Sequence, residues 1–72
     1  MNNSNEQNQI GKSMKVSRQI AGLTQPQLAK LIGTTHSAIS FWENGVNIPS
    51  VLHCIKIANA LNISLDELVG RL

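Results

Sequence analysis

Thiols, acids, aromatics and long apolar runs are all scarce in this sequence, and each scarcity removes a class of protein. A single cysteine, Cys54, cannot close a disulfide within the chain, so the expected setting is a reducing cytoplasm. Nowhere do about 18 apolar residues follow one another, and no basic stretch precedes an apolar one, so neither a membrane span nor a signal peptide is expected. Of the four acidic residues only Asp66 and Glu67 are neighbours, and that pair reads as a helix start, not an acid–base site. His36, His53 and Cys54 lack the spacing of zinc ligands. No glycine-rich loop is placed to cradle phosphate. Enzymatic activity, a metal, a cofactor and a small-molecule ligand are therefore all unexpected.

What remains is a small globular domain. At 42% hydrophobic and 14% charged residues, the 72-residue chain has the composition of a folded protein with one core. A net charge of +2 permits nucleic acid as a partner without demanding it. Residues 1–9 are rich in Asn, Gln and Ser and are expected to be a disordered polar tail. With no Arg or Lys, that tail is not suited to grasp DNA. The domain proper is then residues 10–72.

Its organising stretch is residues 25–44, where two short helical patterns meet across a glycine turn. Thr24 and Gln27 have the spacing of a capping box, with Leu23 and Leu28 as a hydrophobic staple around it. Leu28, Ala29, Leu31 and Ile32 recur at helical spacing and predict one apolar face. Gly33 stands where a left-handed residue ends the helix. Thr35 can cap a second helix, with Ile39 and Trp42 turned inward and Asn44-Gly45 at its end. Trp42, the single tryptophan, is thereby a core residue and not a stacking platform for bases. Helix, tight turn, helix is the layout of a helix-turn-helix.

Three further helices complete an all-α reading. Residues 10–21 carry a stripe of Ile10, Met14, either Val16 or Ser17, and Ala21. Arg18 leans inward on this helix and so requires a partner. After Pro49, Ser50 can cap a helix over 51–61 with Val51, Cys54, Ala58 and Leu61 inside, the cysteine an inert buried thiol. Ile63 plugs the core. Ser64 and Glu67 form another capping box, opening a last short helix with Leu65, Leu68, Val69 and Leu72.

These residues closely resemble the phage repressor and Cro-type helix-turn-helix family. The shared pattern is Leu23-Thr24-Gln25, then Ala29, Gly33, Ile39 and Glu43-Asn44-Gly45, all at fixed offsets. The resemblance implies a compact five-helix bundle of the lambda-repressor type that binds double-stranded DNA and regulates transcription, most simply as a repressor. It also implies a salt bridge between Arg18 and Glu43; the alternative for Arg18 is a phosphate contact.

In such a motif the second helix lies in the major groove with its N-terminal residues at base edges. The resemblance makes His36, Ser37 and Phe41 the base readers. Imidazole can donate to or accept from a base edge such as that of guanine, serine bonds either way, and Phe41 offers apolar contact, for example to a thymine methyl. Phe41 has the alternative of packing on a loop or a neighbouring chain. Gln25 is the best match for a phosphate contact, its amide able to reach phosphate or to brace His36, with Thr35 and Asn44 as second choices.

The sequence departs from the family at Val46, Asn47 and Ile48, where Lys or Arg commonly follows Asn-Gly, and the reading helix has no cation either. Modest affinity and shallow salt dependence are the expectation for one protomer, which favours a homodimer, weak or DNA-induced. Leu52, Ile55, Leu65 and Val69 are candidates for its interface, unless they simply complete the core. A second class of function stands beside the first: a protein-interaction module, or an antitoxin-like partner-binding domain, that keeps the fold with weak or no DNA binding.

Overall fold

The structure is a computed structural model and describes residues 4–70. Five helices follow one another: α1 (Ser4–Ile20), α2 (Gln25–Ile32), α3 (His36–Glu43), α4 (Val51–Leu61) and α5 (Leu65–Val69). No strand occurs among the described residues.

Local chemistry sets the helix ends. Thr24 Oγ1 accepts the Gln27 N–H at 3.2 Å, and Gln27 Oε1 accepts the Thr24 N–H at 2.8 Å. Ser64 and Glu67 form the same reciprocal box on α5, and Thr35 and Ser50 cap α3 and α4 through their hydroxyls. Each cap satisfies backbone donors that the first helical turn leaves without partners. Between α2 and α3 the chain turns at Gly33, whose φ of 75° is the left-handed conformation that glycine adopts without strain.

Each helix sends one fully enclosed side chain to the centre: Met14, Leu28, Ile39, Ile57 and Leu68. Ala29, Ile32, Trp42, Cys54, Ala58 and Leu61 surround them, with Ile10, Leu23 and Ile63 packed at the edge. α2 packs on α3 and α4, while α1 packs on α3 and α5. Burial pushes the Cys54 thiol above its ordinary range, as an inert core cysteine requires. Trp42 is buried, its ring 5.0 Å from that of His53 and tilted by 48°.

Several expectations are corrected. α1 begins at Ser4, not at residue 10, so residues 4–9 of the supposed tail are helical and residues 1–3 lie outside the described part. Glu and Gln are good helix formers, nothing between Ser4 and Ile10 breaks a helix, and extension of an existing helix is easy where nucleation is not. On the same helix Ser17 is half-buried whereas Val16 is exposed, and Ala21 lies exposed beyond the helix end. Leu31 is also exposed, because the buried arc of α2 is centred on Leu28, Ala29 and Ile32. On α4 the inward row runs Cys54, Ile57, Ala58, Leu61. That arc is rotated towards Ile57, which leaves Val51 on the flank of the first turn, 77% exposed. Leu72 lies outside the described residues.

One close approach holds α1 against the end of α3. Gly11 is buried, and a Cβ built there would stand 2.5 Å from Trp42 O and 2.7 Å from Glu43 O. These are backbone atoms, so no side-chain rotation relieves the overlap. On an ordinary helix Gly→Ala gains about 1 kcal/mol. Here Gly11→Ala is expected to reverse that sign and cost about 1–3 kcal/mol by forcing the two helices apart. Urea denaturation followed by circular dichroism measures it, and a stabilised variant would show that the approach is not tight.

Candidate nucleic-acid interface

The second helix of the motif divides cleanly into an inner and an outer side. Ile39, Trp42 and Glu43 are buried. His36, Ser37, Phe41 and Asn44 are exposed, with Ser40 half-buried among them. At 3.6 residues per turn these five share one arc of the helix. Phe41 is 48% exposed, a large ring held half out of the surface of a small domain. Asn44 Nδ2 donates to Ser40 Oγ at 3.3 Å, along the same arc. The Thr35 hydroxyl accepts the Ala38 N–H at 3.1 Å, so that oxygen is already engaged by the cap.

Behind this face lies a chain of polar contacts from the core to the surface. Arg18 is 8% exposed and donates through Nε to Glu43 Oε2 at 2.7 Å and through Nη2 to Oε1 at 3.0 Å. Its remaining terminal nitrogen, Nη1, donates to the carbonyl of Leu23 at 2.8 Å, tying in the loop before α2. The hydrogen bond to Glu43 raises the Arg18 pKa above its ordinary value, burial opposes the shift and the Glu43 charge adds to it. The guanidinium therefore stays charged at any working pH. Among the described residues, no buried side-chain nitrogen or oxygen is left without a partner. That is the condition under which a buried pair is tolerable.

Gln25, the first residue of α2, carries the chain outward. Its Nε2 donates to Glu43 Oε1 at 2.9 Å, and its Oε1 lies 2.8 Å from His36 Nε2. Of the two roles open to this amide, the brace on His36 is the one present. Four side chains from three helices thus run Arg18, Glu43, Gln25, His36.

Three of the lysines line other grooves of the domain. Lys12 lines an open groove with Glu67 between α1 and α5, and Lys30 and Lys56 flank another beside Gly33. Leu52, Ile55 and Leu65 are exposed and do not complete the core, while Val69 is half-buried. Val51 joins Leu52 and Ile55 in an exposed apolar row on α4 that the expected register had hidden. The clue in the sequence was Ile57, which fits an inward stripe as well as Val51 does.

Residues 14–68 match the helix-turn-helix family. The chain belongs to it. Over 54 residues it is 41% identical to the CTXphi transcriptional repressor RstR of Vibrio cholerae, a match spanning 75% of this chain and 48% of RstR. The P22 c2 repressor, solved in complex with a synthetic operator, superposes with a TM-score of 0.78 at 29% identity, over 82% of this chain and 89% of that one. The restriction-modification controller protein C.AhdI of Aeromonas hydrophila superposes at 0.86, also at 29% identity, over 94% and 99%. This helix-turn-helix domain spans about half the length of the curated relatives it matches.

The buried pair generates a stability test. Removing one partner of a desolvated pair costs about 3–5 kcal/mol, because the other charge is left buried alone. A domain of this size has roughly 0.05–0.15 kcal/mol per residue in total. Arg18→Met is therefore expected to leave the fold close to its unfolding midpoint. Arg18→Met with Glu43→Met should recover much of the loss, since no lone charge then remains. Urea midpoints of the two single variants and the double variant measure the coupling, and additive losses would contradict a desolvated pair.

Proposed function

We propose that this domain binds a specific DNA sequence with the outer face of α3 and regulates transcription, most simply as a repressor that occludes a promoter. The observation that carries the reading is the position of His36 and Ser37, at the N-terminus of α3, and of Phe41 about one turn further on, exposed together on a helix whose opposite side is the core. That geometry suits insertion into the major groove. His36 and Ser37 offer hydrogen bonds and Phe41 offers apolar contact to a base such as thymine. Phosphate is met by the N–H groups at the start of α2, where Gln25 lies, with Thr35 and Asn44 flanking the groove. No described helix is long and apolar enough to cross a membrane, and the site of action is the cytoplasm. The domain has no catalytic role and takes no cofactor.

The protein acts as a homodimer. Without Arg or Lys on the reading face, one protomer gains little from counterion release. A second copy adds contacts on a near-palindromic site with reading helices about 34 Å apart. Leu52 and Ile55, exposed on α4, and Leu65 and Val69 of α5 form the interface. In support of a competing reading as a protein-interaction module, Val46 and Ile48 put apolar surface where family members have cations.

Fluorescence anisotropy with an operator selected from random DNA separates the two. Sequence-specific binding that is lost in the double variant His36→Ala, Phe41→Ala is the expected result. No binding even at low salt would favour the interaction module, and unchanged binding by the double variant would remove α3 as the reader. Val46→Lys is expected to steepen the slope of log affinity against log salt by about 0.9 per bound protomer. Leu52→Glu with Ile55→Glu is expected to abolish dimers in sedimentation of the protein–DNA complex; a persisting dimer would move the interface elsewhere.

A further inference from the structure

The contacts that hold His36 leave it one way to carry its proton. Glu43, taken up as a carboxylate by the Arg18 fork, has acceptor oxygens only. Gln25 Nε2 donates to Glu43 Oε1 at 2.9 Å, so the amide cannot be turned round without setting oxygen against oxygen. Gln25 Oε1 is thereby aimed at His36, and an amide oxygen can only accept. His36 Nε2, 2.8 Å away, must be the donor. A neutral imidazole has a single N–H. Its other nitrogen, Nδ1, is then a bare lone pair, bonded to no described residue, on an exposed side chain at the head of the reading helix.

We infer that His36 reads DNA as an acceptor. Its Nδ1 selects a base presenting an exocyclic amino hydrogen in the major groove, adenine N6–H or cytosine N4–H, on the strand it faces. It rejects guanine, whose N7 and O6 are both acceptors, and thymine, whose O4 is one. Histidine as a residue type carries no such preference, because either nitrogen can hold the proton. The preference is imposed by Gln25, a positioning residue that acts through His36, and Gln25 is oriented in turn by Glu43 and Arg18. The inference rests on the DNA reading proposed above and adds the identity of one base class to it.

Two measurements test it. The first needs no DNA: long-range proton–nitrogen NMR of the labelled full chain at pH 8. The expected spectrum gives His36 a protonated Nε2 and a bare Nδ1, with both tautomers present in Gln25→Ala. A protonated Nδ1 in the wild type, or no change in the variant, overturns the inference. The second is selection from random DNA at the same pH with the wild type, His36→Ala and Gln25→Ala. The position whose preference His36→Ala flattens is the base that His36 reads. Adenine or cytosine is expected there, and Gln25→Ala should admit guanine at that position about fivefold more readily while other positions hold. Guanine in the wild-type site overturns the inference. So does a preference unmoved by His36→Ala in protein that still binds. If the wild type enriches no sequence at all, the DNA reading fails and takes the base preference with it, and the NMR result separates that failure from a wrong tautomer.

Discussion

The Arg18–Glu43 pair is the constraint on which the arrangement of the first three helices depends. A guanidinium fork met by both oxygens of a carboxylate tolerates little error in distance or tilt. Arg18 stands on α1 and Glu43 near the end of α3, and Nη1 reaches the backbone just before α2. A shift of any of these elements would strand a charge in the core. Gly11 allows the geometry, since the end of α3 comes so near to α1 that a methyl group would collide with its carbonyls. The ion pair specifies the approach and the missing side chain permits it.

Such a pair adds little net stability. Two charges leave water, and their attraction roughly offsets that loss when every remaining donor and acceptor is satisfied. Hydrophobic residues of similar volume would hold three helices together at least as well. They would not orient Gln25, whose amide is turned by a carboxylate, nor through it His36. The polar chain therefore makes sense as a means of aiming a surface side chain from a buried anchor. A small bundle with short loops can hold such an anchor because its hydrophobic centre draws one enclosed side chain from every helix.

The outer face of α3 is chemically quiet. It has a ring, an imidazole, hydroxyls and an amide, and no lysine or arginine. Such a face offers shape and a pattern of donors and acceptors, with little attraction for anions. Lys12 shares its groove between α1 and α5 with the acidic Glu67.

Much of this was legible in the residues alone, and the reason is range. Caps at Thr24, Thr35, Ser50 and Ser64 bond backbone groups three residues away, so four helix starts could be placed from neighbours in the chain. The inward register of Ile39 and Trp42 followed from helical spacing, and with it the outward register of His36, Ser37 and Phe41. Spacing was ambiguous where two registers fit, as with Val51 and Ile57 on α4, because the core chooses between them only once α2 and α5 are in place. The start of α1 was missed because a polar helix with no apolar stripe has no periodic signature. Four helix starts and the bare face of the motif were thus readable from neighbouring residues, since both are set by bonds and periods a few residues long. How closely α1 meets α3 and which way the Gln25 amide points emerge only in the folded chain, because each depends on groups brought together from distant parts of the sequence.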